Sequence, residues 1–229
     1  MDQARLQSKV AKGYAKAAQR LGALTTQYRP AARTAPMATA HATLMADFAS
    51  DAAFTFQKPP LWGKPTVYGL LDTTDVLAGD ILAAPMGTYF VARFEPYRPV
   101  ICILTDRIIS FSATAQSGSG ITEDGSAGTC SLAGYQDGYG GQTDDSGAVT
   151  VEASGWPASI LRRGVGSKMD TGLPGALGQA QFDVLCPIIP GFVPKAYMQI
   201  EDDLGVSYTV DAAEVSQYGS RLIVSANQI

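Results

Sequence analysis

Between Pro59 and Ser110 the chain carries four short apolar runs, VYGLL, DILAA, TYFVARF and VICIL, divided by Asp, Gly and Pro. Short runs rich in β-branched and aromatic side chains, punctuated by turn formers at hairpin spacing, predict β-strands. Pro96 and Pro99 break the path between two of them. After Trp156-Pro157 the same texture returns as ASILRR, FDVLCPII, YMQI, SYTV and RLIVSA. Between the two blocks, Thr114 to about Gly155 is Gly-, Ser- and Asp-rich, with hardly a core-forming residue besides Leu132 and the tyrosines. That composition predicts a loop or linker. The GYGG within it lacks the flanking strand and helix that a phosphate cradle requires.

The two β-rich blocks can be overlaid. AGDILAAPMGTYFVARFEPYRPV and KAYMQIEDDLGVSYTVDAAEVSQYG share an apolar strand, a turn, an aromatic-then-Val strand, a Glu and a bend. Ile81 aligns with Met198, Gly87 with Gly205, Tyr89 with Tyr208, Val91 with Val210 and Glu95 with Glu214. Two related modules are therefore one reading of the chain.

Upstream, Leu6, Val10, Tyr14, Ala17 and Leu21 recur at steps of three and four and Gly22 follows as a stop, which predicts an amphipathic helix. Its apolar seam of Leu6, Val10, Tyr14 and Leu21 is a candidate assembly interface. Arg5, Lys9, Lys16 and Arg20 each precede an apolar residue and form a second stripe about 100° round the helix. That stripe could meet DNA phosphates or an acidic neighbour, or stand in solvent with its stems shielding the seam. The Ala/Thr/Pro-rich stretch from Tyr28-Arg29-Pro30 to about Ser50 reads as an extended arm. The expected architecture is mainly β: an N-terminal helix and extended arm (1–58), a first β-module (59–113), a Gly/Ser-rich loop or linker (114–155) and a second β-module (156–229), each module a small barrel or sandwich.

The inventory for catalysis is thin. His41 is the single histidine and lies in the predicted arm, so a multi-histidine metal site is ruled out and a His-based triad loses most of its weight, whereas Lys-based or carboxylate chemistry stays open. Cys102, Cys130 and Cys186 lack metal-ligand spacing and two of them sit in apolar runs, which predicts buried thiols. No cofactor is expected. Seventeen basic against twenty-one acidic side chains give a net charge of −4, which argues against a general nucleic-acid binder. Yet Met1 to Arg33 carries Arg5, Lys9, Lys12, Lys16, Arg20, Arg29 and Arg33 against Asp2 alone. Such polarity suits a protein whose ends touch different partners. No run approaches the roughly 18 apolar residues of a membrane helix and the N-terminus is charged, so residence in a cytosol and no membrane partner are expected.

Glu201, Asp202 and Asp203, with Asp211 and Glu214 beyond, could suggest an acidic site. The first block has Ala83-Ala84-Pro85-Met86-Gly87 in their place, without a carboxylate. An Asp- and Gly-containing stretch between two strands is what a hairpin turn requires, and the order of oxygens does not suit a calcium loop. The carboxylates remain candidates for a rim facing a basic neighbour. No metal is expected.

Gly155-Trp156-Pro157-Ala158, Arg162-Arg163, Leu173-Pro174-Gly175, Pro187-Ile188-Ile189-Pro190-Gly191, Asp202-Asp203-Leu204-Gly205, Tyr208-Thr209-Val210, Glu214 and Gly219-Ser220-Arg221-Leu222 together resemble the C-terminal part of small virion proteins of tailed bacteriophages. Tyr28-Arg29-Pro30, Lys58-Pro59, Tyr68-Gly69, Gly79-Asp80, Thr88-Tyr89-Phe90-Val91-Ala92 and Asp106-Arg107 extend the likeness to the first half. Pro194-Lys195-Ala196 departs from it, where similar sequences often carry Gly-Asp after the Pro-Gly turn. The resemblance implies a non-enzymatic subunit of the neck or short tail, somewhat like the head-closure (stopper) proteins. It would be made in the host cytoplasm and housed in the virion. Its expected partners are copies of itself in a symmetric ring, adjoining portal, adaptor or tail proteins, and passing DNA by non-specific contact. The alternative is a tail-tip or baseplate module that binds a host receptor or glycan through Trp62, Tyr135, Tyr139 and Trp156. A carboxylate-based glycosidase on Glu201 or Glu214 would need a second acid across a cleft, which nothing in the sequence places.

Overall fold

The computed structural model describes residues 2–51, 65–114, 149–163 and 180–227. After one helix, α1 (Gln3–Leu21), the described chain is built from strands. Strands β1 (Ala23–Tyr28), β2 (Ala40–Ala49), β3 (Thr66–Leu71), β4 (Ile81–Ala84), β5 (Gly87–Arg93) and β6 (Val100–Thr105) close a barrel in the order β1-β2-β3-β6-β5-β4. Strands β7 (Arg107–Thr114), β8 (Val149–Arg162), β9 (Gln181–Cys186), β10 (Gln199–Asp202), β11 (Ser207–Ser216) and β12 (Gly219–Ala226) close a second in the order β7-β8-β9-β12-β11-β10. Renumbered from one, the two orders are identical. The expected mainly-β chain with two small β-modules and an N-terminal helix is what the structure has.

The match extends to single residues. Tyr89 faces Leu82 across the β4–β5 hairpin, as Tyr208 faces Ile200 across β10–β11. Val91 pairs with Cys102 and Val210 with Val224, and in each barrel the ladder slips at the next residue, Ala92 or Asp211. A repeated bulge at the same point re-aims the same strand in both barrels. Tyr89 and Tyr208, and Val91 and Val210, are thus equivalent, as the overlay of the sequences has them. Ile81 faces Phe90 and is equivalent to Gln199, which faces Thr209, so its sequence match to Met198 is out by one. Gly87 is displaced likewise from Gly205. The reason is the turn: Pro85-Met86 connects the first pair of strands, whereas Asp203-Leu204-Gly205 lies between Asp202 and Val206, whose backbones bond at 3.1 Å.

The expected boundaries move. Residues 23–49 are not an extended arm but carry β1 and β2, the first two staves of barrel one. Their inward positions include Thr25 and Gln27, both buried, and Ala46, so they lack the strongly apolar alternation of a half-buried strand. The equivalent residues Ile109 and Phe111 in β7 are apolar. Strand β7 in turn belongs to the second barrel rather than to a first module ending at residue 113, and β8 begins inside the stretch read as a linker.

The first barrel has its own interior cluster, with Leu82, Tyr89, Val91 and Cys102, and a second cluster spans both barrels. Ile81, Phe90, Ala92 and Ile103 of the first pack in the same cluster as Trp156, Cys186, Ile189 and Leu222 of the second. The β1–β2 connection straps them: the backbones of Arg33 and Ala35 bond Ser154 at 3.2 Å, and the Trp156 indole Nε1 donates to the Arg33 carbonyl at 2.6 Å. At the direct crossing between barrels, the Asp106 N–H donates to the Ala158 carbonyl and its carboxylate accepts from the Ile160 N–H at 2.9 Å.

Candidate functional site

The helix is fixed at both ends. Asp2 caps it through Ala4 N–H at 3.2 Å, and Gly22 ends it by donating to the Ala18 carbonyl. A Cβ on Gly22 would lie 2.5 Å from the carbonyl oxygens of both Ala18 and Ala46. Glycine is what lets α1 turn directly into β1 while touching β2. The helix therefore lies against β2 and β3 of its own barrel rather than at the end of an arm.

Two of the four seam residues are covered by the protein's own barrel. Val10 and Tyr14 are half-buried and Ala18 is fully buried, whereas Leu6 and Leu21 are 43% and 69% exposed. Polar contacts set the rotation. Gln7 Oε1 accepts the Tyr97 N–H at 3.0 Å, the Tyr14 hydroxyl donates to the Tyr97 carbonyl, and the Tyr97 hydroxyl donates to the Gln3 carbonyl, both at 3.2 Å. Beside this contact lies a groove of about 760 Å³ whose lining includes Val10, Tyr14, Leu71, Phe94, Arg98 and Val100. Arg5, Lys9, Lys16 and Arg20 are all exposed, and Lys12 joins them.

The acidic stretch is a hairpin turn, and its three carboxylates are not alike. Glu201 and Asp203 are exposed; Asp202 is 6% exposed. Asp202 Oδ1 accepts from the N–H groups of Leu204 and Val206 at 3.0 and 2.8 Å, and Oδ2 from the Tyr208 hydroxyl at 3.2 Å, with Arg107 Nε 3.9 Å away. Burial, followed by the Asp202 charge, pushes the Tyr208 phenol up to about 12. Asp202 is thus the peg on which the turn is built, and the neighbouring pair is what solvent or a partner meets.

One polar cluster was not singled out from the sequence. At the mouth of barrel one, buried Asp80 accepts from Gln27 Nε2 at 2.7 Å, from Arg29 Nε and Nη2 at 3.0 Å, and from the Leu77 N–H at 2.9 Å. Arg29 Nη2 also bonds Asp75 at 3.0 Å, and Asp75 meets His41 Nε2 at 2.9 Å. The two carboxylates raise the Arg29 pKa further above its already high value, and His41, then Arg29, hold Asp75 below its ordinary carboxylate value. Every basic group in the cluster is occupied by an acid. Its chemistry is that of a clasp between β1, β2 and the β3–β4 loop. Gly79-Asp80 and Tyr28-Arg29-Pro30 stand out in the sequence as turn signals only, because the pairing joins residues about 50 positions apart.

Trp156 is fully buried, with its N–H spent on Arg33, and is closed to a glycan. Trp62, Tyr135 and Tyr139 lie outside the described residues, as does Cys130. Cys102 and Cys186 are buried free thiols, pushed up to about 12 by burial. Among the described residues, no group of three His, Cys, Asp or Glu side chains is placed to hold a metal ion, and no helix is long and apolar enough to cross a membrane.

No protein-family model, curated protein or solved structure matches the chain.

Proposed function

We propose that this protein is a non-enzymatic structural subunit of a tailed-phage neck or short tail, repeated side by side in a ring and seated against portal, adaptor or tail proteins. The observation that carries the reading is how the chain spends its polar groups. Asp80, Arg29, Asp75 and His41 are engaged with one another, Asp202 holds a turn, and Trp156 ties the strap between barrels. The two barrels are joined through a common apolar cluster, which suits a mechanical part. Its exposed charge is divided: cations along α1 on the first barrel, Glu201 and Asp203 on a hairpin of the second. The two barrels thus present different surfaces, as heterologous side-to-side contacts in a ring require.

The test is to purify particles from a producing host and locate the chain by mass spectrometry and electron cryomicroscopy. The expected result is a stoichiometric component in a ring on the tail axis. Absence from purified particles would overturn the proposal, as would turnover of cell-wall glycan by the isolated protein that is abolished in Glu214→Gln.

A further inference from the structure

The outward face of α1 is more specialised than its sequence periodicity indicates. At about 100° per residue, Arg5, Lys9, Lys12, Lys16 and Arg20 fall within an arc of about 80°. The contacting residues Gln7, Val10, Ala11, Tyr14 and Ala18 are centred about 180° away. Most of the stripe therefore faces away from the barrel, with Lys12 at its edge also lining the groove between helix and barrel. It runs about 22 Å along the helix axis at 1.5 Å per residue. All five side chains are exposed, the helix contains no acidic residue, and none of the five forms an ion pair among the described residues. Neighbours three and four apart repel one another, so the array stands uncompensated.

We infer that this face binds the phosphodiester backbone of a nucleic acid. A protein partner would call for apolar anchors at the centre of the contact, where lysine is depleted. Here Val10, Tyr14 and Ala18 are turned onto the protein's own barrel, the exposed Leu6 and Leu21 lie outside the outer arc, and that arc holds cations alone. Successive charges about 4.5 to 6 Å apart along a line suit a polyanion, and contacts to phosphate position a chain without reading sequence. The remainder of the sequence is net acidic, which disfavours such binding elsewhere. The inference rests on the helix geometry and not on assembly into a ring.

The full-length protein is titrated by fluorescence anisotropy against a labelled 20-mer duplex, its single strand and an RNA of the same sequence, from 50 to 200 mM NaCl. With five phosphate contacts, duplex affinity should fall about 500-fold across that range, and in Lys9→Gln/Lys16→Gln only about 40-fold. The melting temperature of the double variant should not fall, because neither lysine has a partner to lose and repulsion between like-charged neighbours is relieved. Preference among the three probes supports the inference and identifies the form of backbone. Failure of all three to bind at 50 mM NaCl overturns it, as does a salt dependence unaltered in the double variant. Binding to phosphatidylglycerol vesicles without binding to any oligonucleotide also overturns it and assigns the face to a membrane surface.

Discussion

Gly79 and Tyr197 occupy the same point in the two barrels, and both have positive φ, 92° and 68°. Gly79 N–H donates to the Val91 carbonyl at 2.8 Å and Tyr197 N–H to the Val210 carbonyl at 2.7 Å. In the residue that follows each, a side-chain acceptor takes the N–H three positions back: Asp80 from Leu77 at 2.9 Å, the Met198 sulfur from Lys195 at 3.3 Å. The turn geometry is common to both barrels while the residues that satisfy it differ.

A tyrosine in this conformation costs about 1 to 2 kcal/mol, and Tyr197 is 87% exposed, so little packing offsets the cost. Tyr197→Gly should stabilise the protein by about 0.5 to 1 kcal/mol, once the larger unfolded-state entropy of glycine is subtracted. Gly79→Ala should destabilise by about 1 to 2 kcal/mol through the backbone alone, since its Cβ would meet Ile188 only at an ordinary 3.5 Å. Urea denaturation of both variants checks the pair; equal and opposite neutrality would remove the claim of strain.

The acidic hairpin separates by burial. Glu201→Gln and Asp203→Asn should each change stability by no more than about 0.5 kcal/mol, as exposed charges do. Asp202→Ala removes the acceptor of two turn N–H groups and of the Tyr208 hydroxyl and should cost about 2 to 3 kcal/mol. The sequence expectation that all three are exposed rim charges fails at Asp202. Thermal melts of the three single variants distinguish them.

Strands β4, β5, β10 and β11 were legible in the sequence because their inward residues, Leu82, Tyr89, Val91, Ile200, Tyr208 and Val210, are large and apolar between recognisable turns. Strand β1 was not, since its inward Thr25 and Gln27 are polar and make sense only beside Asp80, whose carboxylate receives Gln27. The junction between barrels was misplaced because RIISFS follows VICILT with only Asp106 between; no change of composition marks the crossing. On the helix, Leu6 and Leu21 fit the periodicity, yet Ala18 is the fully buried residue, at the end where Gly22 lies close against the backbone of Ala46. Charge was the reliable guide there: lysine and arginine positions fixed the solvent side, and the structure corrected only the angle.

The clasp at the mouth of barrel one should show itself in acid. Hydrogen bonding to His41, then to Arg29, holds the Asp75 carboxyl below its ordinary 3.8. A depressed carboxyl contributes stability that is present above its unfolded value and lost as pH falls through the folded one. The melting temperature of wild type should therefore exceed that of Asp75→Asn at pH 5, and the gap should close as pH falls below 3.8. A gap that persists undiminished to pH 2.5 would show that the substitution acts by packing and not through the charge.

In alkali the two barrels should lose stability through their thiols. Burial raises Cys102 and Cys186 from 9.0 to about 12, so the folded state keeps protons that the unfolded chain releases. Stability is then full below pH 9 and falls as pH rises toward 12, by about 1.4 kcal/mol per pH unit for each thiol. Barrel two supplies the control, because the residue equivalent to Cys102 is Val224, which is likewise fully buried and pairs with Val210 as Cys102 does with Val91. Cys102→Val should stay within about 1.5 kcal/mol of wild type at pH 7, being close in volume. It should also remove one of the contributions of the two buried thiols, about 1.4 kcal/mol per pH unit, from the alkaline slope. Urea denaturation at half-unit intervals from pH 8 to pH 10.5 measures both quantities. An unchanged slope in the variant would show that alkaline loss of stability originates elsewhere, for instance at Tyr208, whose phenol burial also raises to about 12.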